Sequence, residues 1–313
     1  MRTLRKIGLI PLAIITLVVV PFIFFNMGAS YLMRRRRADP SDPPSNYGVG
    51  YEEVHFKSRD RVPLVGWWIP AEQARGTIVM CQGQEGSMDR DTRRMLPLHS
   101  AGFNVLMFDF RAHGQSGGSL VSMGMYEKED LLGALDYLVE LQQVEHVGVI
   151  GFSMGAAVAL ITAALSERIT SLVVDSPFGR LTRSVSGWLH QRGIPKPLAR
   201  EIARWVLVYA SMRTEGRMDQ IDPIRWTVHI GARPILFIFG ARDPYVSRPE
   251  IQRMISLAEG PTETWTVPDV GHRGAYDADP AEYDRRVVEW FSRTLSTTPI
   301  GDKSKAETAA ESA

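Results

Sequence analysis

Short, nearly continuous apolar runs recur along this chain at 77–81, 146–150, 171–175 and 234–239. Runs of that length and character predict strands buried on both faces. Two earlier segments, 51–57 and 62–69, are separated by Ser58-Arg59-Asp60-Arg61 and predict an opening antiparallel hairpin. Strand and helix patterns then alternate to the end, so the expected class is α/β, with a mostly parallel central sheet and helices on both faces. The alternation breaks between 177 and 233. Helical stretches at 181–189 and 198–209 carry Trp188 and Trp205 among many arginines. They predict a small helical cap, about 178–232, inserted after the sixth strand.

The amino terminus has a different pattern. Residues 7–25 form an apolar run without a charge, extending with mild polarity to Met33. A hydrocarbon core takes roughly 20 helical residues to cross, so an N-terminal transmembrane helix is expected, in preference to a cleaved signal peptide. Arg2, Arg5 and Lys6 precede the run and Arg34-Arg35-Arg36-Arg37 follow it. The small basic excess after the span places the rest of the chain in the cytoplasm, in a single-pass topology. The expected organisation is a membrane anchor with basic flanks (1–37), a Pro-rich linker (38–50), the α/β domain (51–296) and a disordered tail (297–313).

Candidate chemistry centres on Gly151-Phe152-Ser153-Met154-Gly155, where the run 146–150 enters an alanine-rich helix, 156–165. A serine held in a sharp strand-to-helix turn has a strained backbone and an exposed hydroxyl at the carboxyl edge of the sheet. A serine used this way needs a base and an orienting acid, which follow it in the order acid, then histidine. Of seven histidines only His272 falls late in the chain, in a loop after the run 263–267. Asp243 comes just past the run 234–239, and Asp175, ending the run 171–175, is the other candidate acid. His113 precedes the serine and reads as a loop-stabilising residue, and Ser116 as a turn residue. Cys81 reads as a small buried hydrophobe. Two backbone N–H groups are needed to hold an oxyanion; Met154 supplies one by position, and Gln84, after Gly83 in the loop following 77–81, the other.

Several segments together carry a resemblance. The stretch 102–111 continues to Gly117-Gly118, followed by Gly124-Met125-Tyr126-Glu127-Lys128-Glu129-Asp130 and Gly151-Phe152-Ser153-Met154-Gly155. Asp175-Ser176-Pro177-Phe178, Gly240-Ala241-Arg242-Asp243 and Gly271-His272 complete the set. Over roughly residues 50–295 the chain resembles the serine aminopeptidase-like branch of the α/β-hydrolases, which includes membrane-anchored bacterial hydrolases. The resemblance implies Ser153 as nucleophile, Asp243 as acid and His272 as base. One departure stands out: the family shows His-Gly at the start of the oxyanion loop, and this chain has Gln82-Gly83.

The expected activity is therefore that of a serine hydrolase, cutting an ester, thioester or amide through an acyl-enzyme. The anchor and the aromatic cap direct the expectation to small-molecule or lipid-like acyl esters. A serine peptidase and an inactive membrane-tethered binding module are the other two readings. The net charge of +1 carries no nucleic-acid footprint. No phosphate-binding glycine loop, dinucleotide fingerprint or metal-ligand spacing occurs, so no cofactor and no metal are implied.

Overall fold

A computed structural model describes residues 15–295. Residues 1–14, which begin the expected anchor, and the expected tail lie outside the described residues. A π-helical turn, Ile15–Val19, leads into α1 (Val20–Met33). The hairpin strands β1 (Glu52–Lys57) and β2 (Pro63–Ile69) follow, then β3 (Thr77–Cys81), α2 (Thr92–Ser100) and β4 (Asn104–Phe108). Next come α3 (Glu127–Gln142), β5 (Val147–Phe152), α4 (Met154–Leu165) and β6 (Ile169–Asp175). After β6 the alternation is interrupted by α5 (Leu181–Gln191) and α6 (Lys196–Ser211), which pack on one another. The chain closes with β7 (Ile235–Gly240), α7 (Arg248–Leu257), β8 (Thr262–Val267) and α8 (Pro280–Thr294).

The strands form one eight-stranded sheet in the order β1-β2-β4-β3-β5-β6-β7-β8. Only β2 runs antiparallel to its neighbours. The register sets Cys81 beside Gly151 and Phe152 beside Asp175, so the carboxyl ends of the central strands share one edge. Alternate residues serve opposite faces, as the pleat requires. Ile78, Met80 and Ile150 belong to the core with Leu98, Trp290 and Phe291 of α2 and α8. Val79, Val149 and Leu172 belong to the core with Leu135, Val158 and Ile161 of α3 and α4. Burying each such side chain is worth about 1.5–3 kcal/mol, which is why these strands read as unbroken apolar runs.

The expected membrane anchor is overturned. Among the described residues no helix is long and apolar enough to cross a membrane. Helix α1 has 14 residues, about 21 Å at 1.5 Å each, and one of its faces is used on protein. Ala29 and Met33 are buried, and Phe25 stacks on Trp205 and Tyr209 of α6 at 6.0 and 5.9 Å. Its polar positions are bonded too, since Arg213 donates to Asn26 and Ser30. The single-pass topology and cytoplasmic placement built on this anchor fall with it. The arginine cluster also has a structural use. Arg35 donates to the carbonyls of Gly114, Ser116 and Gly118, and Arg36 to that of Leu32. The expected linker is likewise tied down: the Asp39 carboxylate accepts from the Ser87 amide and pairs with Arg90.

The loop after β4 is held by a buried ion triad. Arg111 donates to Asp130 at 2.6 and 2.9 Å and to Asp60 at 2.5 and 2.7 Å. The Asp130 side chain is fully buried and the Asp60 side chain is 40% exposed, so Asp130 depends on this guanidinium for its charge. We expect Arg111→Leu to cost about 3–5 kcal/mol, the penalty of leaving a buried charge unpaired. Urea unfolding checks this; a loss below about 1 kcal/mol, typical of exposed pairs, would refute it.

A second buried carboxylate anchors the helical hairpin. Asp222 accepts the Leu181 amide at 2.8 Å at the start of α5, and burial pushes its pKa up to about 6. A folded-state pKa above the ordinary value means that stability is fully present below about pH 4 and lost as pH rises through about 6. Asp222→Asn keeps the acceptor and removes the titration. Wild type should therefore lose up to about 3 kcal/mol relative to this variant between pH 4 and 7. Parallel melting curves of the two proteins across that range would show the idea to be wrong.

Candidate active site

Ser153 occupies the single residue between β5 and α4, with φ +52° and ψ −109°. A positive φ is costly for a residue with a side chain, and close packing holds it. A Cβ on Gly155 would collide with the carbonyls of Cys81 and Gln82, and one on Gly151 with the carbonyl of Gly155. The Ser153 amide is fixed by the Asp175 carbonyl at 2.8 Å. The turn therefore presents the hydroxyl at the carboxyl edge, with the N-terminal end of α4 beneath it.

Two further strand ends bring their side chains to the same point. His272, in the loop after β8, has Nε2 2.7 Å from Ser153 Oγ and Nδ1 2.7 Å from Asp243 Oδ2. Asp243, in the loop after β7, accepts the amides of Tyr245 and Val246 on its other oxygen at 2.8 and 3.2 Å. Its side chain is 1% exposed, so both oxygens are committed. The two loops meet at Gly240, where a Cβ would collide with the carbonyls of Val270 and Gly271. The edge of the His272 ring meets Tyr245, with centroids 4.9 Å apart. Asp175 lies elsewhere: it accepts from Ser176 Oγ and Tyr283 OH, both at 2.9 Å.

The loop after β3 faces the serine from the other side. The amides of Met154 and Gln84 donate no hydrogen bond among the described residues. His113 is fully buried, with Nδ1 2.8 Å from the Arg111 carbonyl and Nε2 2.8 Å from the Gln84 carbonyl. It thus ties the Gln84 peptide to the loop held by Arg111. Gln82 is buried, and both polar atoms of its side-chain amide are unpartnered among the described residues. Cys81 is buried, and burial raises its thiol well above the ordinary range.

One support had no signal in the sequence. Asp91, buried at the N-cap of α2, pairs with both Arg94 and Arg273, the residue after His272. The two guanidinium groups lie over the Phe152 ring at 5.2 and 4.8 Å, and the Arg273 amide donates to Ser176 Oγ at 3.1 Å. The histidine loop is thus clamped to β5, α2 and the end of β6. Asp91 and Arg94 stand three apart in the chain, but the pairing of Asp91 with Arg273 joins residues 182 apart, so no local pattern announces the clamp on the histidine loop.

Ser153 and His272 lie in the wall of a cavity of about 420 Å³ roofed by α1, α5 and α6. A wider cleft of about 890 Å³, between Arg180, Arg200, Glu201 and Glu250, contains none of the three residues. Among the described residues no group of three or more His, Cys, Asp or Glu is placed to hold a metal ion. The arrangement is chemically a hydroxyl, a proton acceptor and an orienting carboxylate in one line, with two unused amides nearby.

Comparison with known proteins agrees with the fold. A family profile described as alpha/beta hydrolase fold matches residues 76–198. YqkD of Bacillus subtilis is 27% identical over 241 residues, covering 75% of this chain and 77% of its own length. Rv2307c of Mycobacterium tuberculosis is 26% identical over 268 residues, covering 84% of this chain and 85% of its own. Among solved structures, the Pyrococcus furiosus esterase Pf2001 matches with a TM-score of 0.70 and 28% identity, over 84% of this chain and 99% of that one. With its sheet order, its strand–turn–helix at Ser153 and these matches, the chain has the α/β-hydrolase fold.

Proposed function

We propose that the protein is a serine esterase that works through an acyl-enzyme on Ser153. The observation that carries this reading is the continuous line from Asp243 through His272 to Ser153, with both hydrogen bonds at 2.7 Å. As Ser153 Oγ attacks the ester carbonyl carbon, His272 Nε2 takes its proton and the carbonyl π pair moves to oxygen. The amides of Met154 and Gln84 receive that oxyanion; one such donor is typically worth about 2.7–4 kcal/mol. The tetrahedral species collapses, the C–O bond to the alcohol breaks, and His272 returns its proton to the leaving alkoxide. Water then attacks the acyl carbonyl with His272 again as base, and the acid leaves as Ser153 regains its proton. Asp243 keeps the Nδ1–H tautomer and stabilises the imidazolium.

The esterase neighbour from Pyrococcus furiosus supports ester chemistry over amide chemistry. A peptidase would need a carboxylate to receive a peptide amine. In the cavity wall Glu85 faces Arg36 at 3.6 Å, while Glu201 is paired with Arg204 and lines the other cleft. The inactive-module reading draws on the Gln82 departure alone, and the donors at issue in that loop are backbone amides.

Labelling by a fluorophosphonate is expected for wild type and lost in Ser153→Ala and His272→Ala, each confirmed folded by circular dichroism. Labelling of Ser153→Ala at the wild-type rate would refute the assignment. Asp243→Asn should lower kcat by about 10⁴-fold, since an amide in place of the acid favours the wrong tautomer. A loss under tenfold in a steady-state ester assay would instead make Asp243 a bystander.

A further inference from the structure

The cavity over Ser153 has three helical walls, and each is one face of its helix. On α1, Phe24, Gly28, Tyr31 and Leu32 line it, at spacings of four, three and one that keep them on one side. On α5 the lining includes Val185, Trp188 and Leu189, and on α6 Ile202 and Val206. Part of the apolar surface of α1 therefore faces the same space as the reactive serine, although Phe24 and Tyr31 remain 54% and 45% exposed.

The two ends of the α1 wall differ. Leu32 is at the reaction end, because its carbonyl accepts Gln84 Nε2 at 3.1 Å in the loop that faces Ser153. Phe24 lies eight residues earlier, roughly 12 Å along the helix axis. Between them α1 closes against its neighbours. Tyr31 meets Trp188 with ring centroids 5.6 Å apart. A Cβ on Gly28 would stand 2.8 Å from Val206 Cγ2, so glycine sets how closely α1 and α6 approach.

Charge at the reaction end is matched. Arg36 faces Glu85 at 3.6 Å, Arg90 meets Asp39 at 2.8 Å, and Arg273 pairs with Asp91. Beyond this end the α1, α5 and α6 walls present hydrocarbon, aromatic rings and the Ser184 hydroxyl. Such a slot takes an uncharged, linear, apolar group. Roughly 12 Å accommodates about ten bonds of an extended chain.

We infer that α1 is a wall of the acyl-binding site, and that the substrate is an ester with an unbranched acyl chain of medium length. The carbonyl lies at Ser153 and the chain runs along α1 from Leu32 toward Phe24. This rests on the esterase reading of Ser153. It assigns the N-terminal helix a part in substrate selection, with Gly28 limiting the width of the slot at its midpoint.

The test is a p-nitrophenyl ester series from acetate to dodecanoate on the full chain, for wild type and the α1 variants Gly28→Leu and Leu32→Phe. Val185→Trp on α5 serves as the comparison, and folding is checked by circular dichroism. Two α1 variants are used so that one that fails to fold does not end the test. Wild type should show its highest kcat/KM near octanoate. The α1 variants should lower the octanoate-to-acetate ratio of kcat/KM by at least about tenfold, the discrimination a hydrophobic pocket makes over one methylene. A ratio within twofold of wild type in the folded α1 variants, whatever Val185→Trp does, overturns the inference, as does a wild-type profile that falls steadily from acetate. Fluorophosphonate labelling separates the two levels. Labelled wild type with an unmoved ratio removes the α1 wall alone, whereas unlabelled wild type that hydrolyses no ester removes the Ser153 reading along with it.

Discussion

The contact on which the site depends is the approach of the β5–α4 turn to the end of β3. Gly155 sits against the carbonyls of Cys81 and Gln82 with no room for a side chain. That approach holds Ser153 at a positive φ and aims the first turn of α4 at the space above it. It also fixes the start of the β3 loop, which carries Gln84, relative to the serine. Strain at one residue is tolerated because a packed parallel sheet over-determines its position.

Around this turn the loops are held by polar contacts that replace regular structure. Asp91 joins α2 to the histidine loop through Arg94 and Arg273, and Arg111 joins the β4 loop to α3 through Asp130. His113 carries that restraint on to the Gln84 carbonyl. Loops at the edge of a sheet have few apolar contacts to hold them, so buried charge and directional hydrogen bonds set their geometry. The side-chain amide of Gln82 has no partner among the described residues; it stands where the resembling family shows histidine, and nothing in the structure explains the change.

The N-terminal segment binds this machinery from outside. Arg35 holds the carbonyls of the β4 loop, Arg36 caps the end of α1, and Asp39 reaches the Ser87 amide. Helix α1 then lies across α6 and closes the cavity. A face of this helix remains apolar and exposed, including Val20, Ile23 and Met27. The sequence of α1 therefore reads as uniformly apolar although only one side of the helix is packed.

What the sequence by itself determined was the α/β class and the strand ends from which Ser153, Asp243 and His272 emerge. Buried parallel strands require continuous apolar runs, and a tight strand-to-helix turn requires glycine at set positions, so both leave local marks. Those marks do not distinguish Asp243 from Asp175, since each follows an apolar run. Only the packing of the β7 loop against the β8 loop decided which carboxylate faces His272. The fate of the apolar N-terminus was likewise tertiary. Hydropathy records that a segment avoids water, and a lipid core and a protein cavity satisfy that requirement equally. The choice was made by Arg213, Trp205, Tyr209 and Val206, which meet α1 from 170 residues or more along the chain. The Asp91–Arg273 pairing left no sequence signal for the same reason, because charges 182 residues apart have no period to read.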